Sequence, residues 1–203
     1  VTRMAKIGIV YYSMYGATHE LARAIAEGVE KGGGEAHLRR VPDPLLPEEV
    51  KASDGVREAI EAQEDVPVAE VDELPEFDGI ILGSPTRYGS ATSQLQAFLD
   101  TTGPHWQSGA LVGKAAGFFT GAATMHGGHE TTILTMSTFA FHHGMVIVPA
   151  GYGIASEVGS TRSGGSPYGP TQLGDGEGLT EDERQIALVY GEQFARTAAK
   201  LAA

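Results

Sequence analysis

Apolar, β-branched and aromatic residues run together from Ile7 to Tyr12, and from Leu21 the spacing changes to the three-and-four step of Leu21, Ala22, Ile25, Ala26 and Val29. The first pattern predicts a buried strand, the second a helix lying on it by one face. The alternation then recurs. Gly32-Gly33-Gly34 stops the helix, Glu35 to Val41 reads as a second strand, and Pro42 closes it. Gly79 to Gly83 is a third strand, followed by a helix over Ser90 to Thr101 with Leu95, Phe98 and Leu99 inward, broken at Gly103-Pro104. Ala115 to Phe119 and Gly144 to Pro149 are strands four and five, separated by a helix from Glu130 to His142. In the last helix Thr180 caps, Glu183 completes a capping box, and Ile186, Ala187, Val189, Tyr190, Phe194, Ala198 and Leu201 form the apolar stripe. Strands alternating with helices predict one doubly wound α/β domain over 1–203, a five-stranded parallel sheet with helices on both faces.

Two stretches do not fit that rhythm. Residues 43–76 are acidic and proline-containing, with a helix signal over 48–63 and a weak strand signal over 66–71, and read as a surface insertion. Residues 150–178 are rich in Gly, Ser, Thr and Pro, with Tyr152, Arg162 and Tyr168 among them. A loop this long is uncommon as an idle connection, so it is a binding loop or a partner contact.

The candidate chemistry lies in the loops after strands one, three and four, which share one sheet edge, where open α/β sheets bind ligands. The first, Ser13-Met14-Tyr15-Gly16-Ala17-Thr18, offers two hydroxyls and a glycine at the start of a helix. Free amides there suit a phosphate. An ordinary strand-to-helix turn capped by Ser13 is the alternative. The spacing fits neither the Walker loop nor the Gly-x-Gly-x-x-Gly turn, and Gly109 to Ala115 fails as a Walker loop because Ala115 replaces the metal-binding hydroxyl. The second loop carries Thr86, Arg87 and Tyr88 after Ser84-Pro85, equipped to touch a flat polar ligand or else a solvent-facing proline turn. The third runs from Thr120 through Gly121, Ala122, Ala123 and Thr124 to Gly128.

Composition narrows the classes. A net charge of −12 argues against nucleic-acid binding, and it repels an anionic nicotinamide substrate unless a local basic contact offsets the field. The chain has no cysteine, which excludes disulfides and thiolate chemistry and suits a reducing compartment. With no apolar run of about 18 residues and no signal segment at the start, a cytoplasmic location without a membrane span is expected. His126, His129, His142 and His143 lack metal-ligand spacing, so no metal site is expected, and no Gly-x-Ser-x-Gly elbow supports hydrolase chemistry.

Four separated stretches taken together carry a resemblance: Tyr-Tyr-Ser-Met-Tyr-Gly at 11–16, Gly-Ser-Pro-Thr-Arg-Tyr-Gly at 83–89, His-His-Gly-Met-Val-Ile-Val-Pro at 142–149 and Arg-Ser-Gly-Gly-Ser-Pro-Tyr-Gly at 162–169. Over nearly its whole length the chain resembles the WrbA family of flavodoxin-like NAD(P)H:quinone oxidoreductases. The resemblance implies sheet order 2-1-3-4-5, noncovalent FMN, ping-pong two-electron reduction of quinones to hydroquinones at the expense of NAD(P)H, and a homotetramer. By the same resemblance Ser13 to Thr18 hold the FMN phosphate, Thr86, Arg87 and Tyr88 line the isoalloxazine, Gly121 to Thr124 cover its other edge, and His142 approaches it. Tyr15 and Trp106 fall at the family's nicotinamide and substrate contacts. The flavin carries the chemistry, so no catalytic acid is named. A flavodoxin-like electron carrier or regulatory module without turnover is the rival reading.

Overall fold

The computed structural model describes residues 4–44, 46–174 and 178–203. Residues 1–3 of the chain start, Leu45 of the 43–76 stretch and 175–177 of the 150–178 stretch therefore lie outside the described residues.

A parallel sheet runs in the expected order through β2 (Glu35–Arg40), β1 (Lys6–Tyr11), β3 (Gly79–Pro85), β4 (Ala115–Ala122) and β5 (Val146–Ile147). β1 pairs Ile7 with Gly79 and Tyr11 with Gly83, and β3 pairs Gly79 with Ala115 and Pro85 with Gly121. Those registers set the ends of β1, β3 and β4 side by side, which brings their loops together. One face of the sheet buries Ile7, Ile9, Tyr11, Ile81 and Phe119 under α1 (Ala17–Lys31) and, in chain order the last helix, α8 (Glu181–Leu201). The other buries Val10, Ile80, Leu82, Ala116 and Phe118 under α4 (Ser93–Asp100) and α6 (His129–His143). Alternate residues of each strand thus serve opposite layers, the pleat rule for a sheet covered on both sides. α1 and α8 touch backbone to backbone. A Cβ on Gly28 would stand 2.1 Å from Leu188 O, and one on Gly191 2.2 Å from Ile25 O, so only glycine permits that approach.

Three expectations change. β5 spans two residues instead of six, because Pro149 has no N–H with which to extend the ladder beyond the Val148 N–H bond to Ala116 O. The place it vacates beside the far half of β4 is taken by a sixth strand, β6 (Thr171–Leu173), paired with Thr120 to Ala122. The 150–178 stretch is accordingly folded over its described part, with α7 (Glu157–Ser160) and β6 instead of a loop throughout. Second, the helix signal over 48–63 is realised as α2 (Glu48–Lys51) and α3 (Asp54–Glu61), parted at Ser53, whose hydroxyl turns back to Val50 O at 2.6 Å. The strand signal over 66–71 survives as one bridge between Val68 and Arg40 and gives way to a 3₁₀ turn over Val71–Glu76. Third, Gly103-Pro104 starts a helix, α5 (Gly103–Ser108), since proline is tolerated in a first turn.

Besides the β6–β4 pairing, one carboxylate gathers several donors of the 150–178 stretch. Glu183 is fully buried, and its Oε1 accepts from Ser163 Oγ (2.8 Å), Gly164 N (2.8 Å) and Leu173 N (2.7 Å) while Oε2 accepts from Thr180 N (2.8 Å). Thr180 Oγ1 accepts from Glu183 N in return, which completes the capping box the sequence predicts. No helix among the described residues is long and apolar enough to cross a membrane.

Candidate flavin site

The start of α1 is built differently from that of α8. Its N-cap, Gly16, has φ 92° and makes no side-chain cap, a left-handed geometry that glycine adopts without a Cβ penalty. The first intrahelical bond runs from Glu20 N to Gly16 O at 3.0 Å, so the amides of Ala17 and Thr18 precede the ladder and are the free donors of the helix end. The amide of His19 is satisfied by Ser13 Oγ at 3.2 Å. Ser13 therefore does support the helix start, yet its hydroxyl proton remains available to a ligand. Both readings of that serine hold at once.

Beneath this turn lies a pair the sequence did not suggest. Tyr11 Oη stands 2.6 Å from His19 Nδ1, with both residues buried. Burial raises the Tyr11 phenol above its ordinary value and lowers the His19 imidazole below its own, the latter helped by Arg23. Both groups are neutral near pH 7 and share one hydrogen bond, whose direction is set by the imidazole tautomer. Residues eight apart on a strand and a helix carry no mutual sequence signal.

A cavity of about 280 Å³ opens in front of the turn. Ser13, Met14, Tyr15, Ala17 and Thr18 line it from the first loop, Thr86 and Arg87 from the second, and Gly121, Ala122 and Ala123 from the third, together with Pro85 and Gly174. Three loops are thus brought together as the strand ends predict, with Thr86 N–H bonded to Gly121 O at 2.9 Å. Thr18 is only 2% exposed, and Tyr15 stands at the rim, 67% exposed. Pro85 and Gly174 were missed, the latter because it follows the short strand β6.

The second loop is tightly made. Thr86 Oγ1 accepts from Gly89 N (3.1 Å) and from Thr132 Oγ1 (2.9 Å), and Arg87 and Ser90 exchange both backbone hydrogen bonds. Arg87 Nη2 reaches back to Met14 Sδ at 3.9 Å, across the mouth between the first and second loops. It is the one charged residue among the described residues lining the cavity.

Five residues named from the sequence are not part of this lining, among them Gly16, which serves as the N-cap of α1. Tyr88 has φ 53° and is fully exposed, and Thr124 sits in the turn closed by Gly127 N to Thr124 O at 2.9 Å. His142 and Trp106 line a separate groove of about 310 Å³ with Phe139 and His143. The reason is geometric. α6 begins at the second loop, where Thr132 bonds Thr86, and its 15 residues at about 1.5 Å each carry His142 some 20 Å toward the opposite sheet edge. Trp106 is 57% exposed there, so it is not a core tryptophan. The four histidines do not gather: His129 is buried in the first turn of α6, and His143 bonds Thr102 Oγ1 at 3.1 Å at the other end.

The lining fits FMN on its own chemistry. Free amides, the Ser13 and Thr18 hydroxyls and a positive helix end match a phosphate without lysine, and the Arg87 and Ala122 region offers a polar edge beside small residues for a flat ring.

Comparison with known proteins agrees. The family described as NADPH-dependent FMN reductase matches residues 6–159. An NAD(P)H dehydrogenase (quinone) of Geobacter sulfurreducens is 50% identical over 201 residues, covering 95% of this chain and 97% of the relative. One of Sinorhizobium fredii is 43% identical over 203 residues, covering 98% and 100%. Among solved structures, a flavodoxin, WrbA-like protein from Agrobacterium tumefaciens superposes with a TM-score of 0.65 at 24% identity, covering 97% of this chain and 98% of that one, a likeness of fold.

Proposed function

The chain belongs to the NADPH-dependent FMN reductase family, alongside the NAD(P)H dehydrogenases (quinone), and we propose that it is an FMN-dependent NAD(P)H:quinone oxidoreductase. The observation that carries this reading is the start of α1, where Ser13 satisfies only the His19 amide and Ala17 and Thr18, with amides ahead of the helical ladder, line a cavity bounded by all three loops. FMN held there would supply the redox chemistry, passing a hydride equivalent from NAD(P)H to a quinone, with the second proton of the hydroquinone taken from solvent.

The protein's part is to hold and to shape. The Ala17 and Thr18 amides with the Ser13 and Thr18 hydroxyls bind the phosphate. Thr86, fixed by Thr132 and Gly89, sets the wall along which the ring lies, and Gly121, Ala122 and Ala123 leave room for its edge. Arg87 supplies the positive charge that an acidic chain needs to admit an anionic nucleotide. Tyr15, at the rim, stacks on the nicotinamide or quinone.

Tyr88, Thr124, His142 and Trp106 belong to this reading through a homotetramer. A second copy that laid its α5 and α6 groove over the mouth would bring Trp106 and His142 to the flavin, which one chain alone does not do. FMN and assembly are then linked: saturating FMN tightens the subunit equilibrium in analytical ultracentrifugation, and an unchanged assembly constant would leave the pocket to one chain. A single domain with 43–76 as a surface insertion and a cytoplasmic setting, on the absence of cysteine, complete the proposal.

The test is spectroscopic and kinetic together. Purified protein shows flavin bands that NADH bleaches under argon, and NADH is consumed steadily when benzoquinone is present. Bleaching without quinone-dependent consumption would make the chain a carrier instead.

A further inference from the structure

Beside the flavin cavity lies a second one of about 340 Å³, walled off from it by Ser13 and Met14, which line both. Its other walls come from the end of β2 and from the 43–76 stretch. Val41, Leu46, Val56 and Ile60 give it apolar sides, and Arg40 and Lys51 give it two cations. The volume falls in the range of about 300–1,000 Å³ in which small-molecule sites are found.

The cations are placed for a ligand. Arg40 is the last residue of β2, opposite Tyr11 on β1, and is half-buried. Its Nε donates to Val66 O at 2.9 Å, which fixes the guanidinium, and among the described residues no protein acceptor takes its Nη groups. A pre-oriented fork with free terminal donors is the arrangement that meets a phosphate bidentately. Lys51 Nζ sits 2.7 Å from Glu48 Oε1, whose side chain is 86% exposed. Such a surface pair is weak, so Nζ can swing to a stronger anion. The one carboxylate in the lining, Asp43, is engaged on Oδ2 by Tyr12 Oη (2.5 Å) and Gln94 Nε2 (3.0 Å). Two donors thus already hold that carboxylate, and Tyr12 lines the cavity with it.

We propose that this cavity binds the adenosine phosphate end of the reducing nucleotide, with Arg40 and Lys51 on its phosphate and the apolar walls against the base. The proposal rests on the oxidoreductase reading above and deepens it. A dinucleotide with its nicotinamide over the flavin needs a landing place for its far end, and the shared Ser13 and Met14 wall puts one next door. On a chain of net charge −12, two cations in one apolar recess are also the local offset that a nucleotide requires. The fork favours the 2′-phosphate of NADPH over the bare ribose of NADH.

Calorimetric titration of the FMN-loaded protein with adenosine 2′,5′-bisphosphate, and separately with inorganic phosphate, tests this without turnover. The bisphosphate is expected to bind, Arg40→Gln and Lys51→Gln each to weaken it about tenfold, in the range of a charge-assisted contact, and inorganic phosphate to bind far more weakly. Lys51→Gln guards against a folding artefact, because its ion-pair partner is the exposed Glu48. In steady state the same variant raises KM for NADPH more than for NADH. No binding of the bisphosphate, equal affinity in wild type and both variants, or equal binding of phosphate alone would each overturn the site. Wild-type NAD(P)H oxidation alongside any of those results sinks this proposal only, whereas absence of NAD(P)H oxidation with the bisphosphate still bound sinks the activity and leaves the nucleotide site standing.

Discussion

Two helix starts in this chain meet the same physical problem with opposite solutions. Each leaves amides without intrahelical partners and a positive dipole end. At α8 the protein fills that end with its own carboxylate: Glu183 is fully buried, closes the capping box and gathers Ser163, Gly164 and Leu173 around one oxygen. At α1 the N-cap is Gly16 in a left-handed conformation, Ser13 Oγ satisfies only the His19 amide, and Ala17 and Thr18, whose amides precede the helical ladder, line a cavity. A helix end that is saturated internally is structural. One left open where three loops converge is, on the proposed reading, the place for the FMN phosphate.

The comparison breaks first, and hardest, at the closed end. Glu183→Ala leaves the buried Gly164 amide and the partly buried Ser163 and Leu173 donors without their acceptor, and at about 1–3 kcal/mol for each buried donor left unpaired it should cost several kcal/mol, read as a fall in denaturation midpoint. Glu183→Gln should recover part of it, since one amide oxygen can still accept.

At the open end the loss should fall on the ligand instead. Ser13→Ala combined with Thr18→Val removes two hydroxyl bonds to a charged phosphate, each worth about 1.5–3 kcal/mol, so FMN affinity should drop by a few kcal/mol. Ser13→Ala also strips the His19 amide of its acceptor, which adds a small stability cost. Riboflavin, without the phosphate, should be held nearly as before, and equal losses for both flavins would remove the phosphate from this turn.

Tyr11→Phe sharpens the contrast from beneath. It orphans His19 Nδ1 in a buried setting and should cost about 1–3 kcal/mol of stability. The pH dependence follows from His19, His129 and His143, all of which burial holds below the ordinary 6.5. With lowered folded values the unfolded chain binds more protons in this range, so stability is fully present above about pH 6.5 and is lost as pH falls below it. Melting curves between pH 8 and 5 should show that decline, and a flat profile would contradict the buried neutral imidazoles.

Trp106→Ala should have the smallest effect. Being 57% exposed, it should leave the melting temperature and flavin content nearly unchanged while raising the apparent KM for quinone by about two- to tenfold, the worth of one aromatic stacking contact. An altered melting temperature with unchanged kinetics would return it to a packing role.

Local patterns made much of this legible. The switch from the Ile7–Tyr12 run to the Leu21-to-Val29 spacing gave the first βα unit and Thr180 with Glu183 gave the last cap, whereas the strand order came from the resemblance carried by the four separated stretches and not from the alternation itself. What stayed hidden depends on distance along the chain. β6 is three residues long and exists because β4 extends past Pro149 and exposes an edge for it. Glu183 looked like a cap because its other partners lie 10 to 20 residues away. Arg40 and Lys51 meet only when the 43–76 stretch folds back over β2. Likewise His142 sits on the predicted helix, but helix length and direction carry it away from the cavity, which spacing alone does not reveal.

The claim that the open end of α1 exists to hold a phosphate is met most directly by titrating the apoprotein with FMN and with riboflavin under identical conditions. The account predicts that FMN binds more tightly by a few kcal/mol, the worth of the Ser13 and Thr18 hydroxyls and the Ala17 and Thr18 amides on a dianion, with the advantage abolished in the Ser13→Ala, Thr18→Val double variant. Equal affinities for the two flavins in the wild-type protein would contradict it.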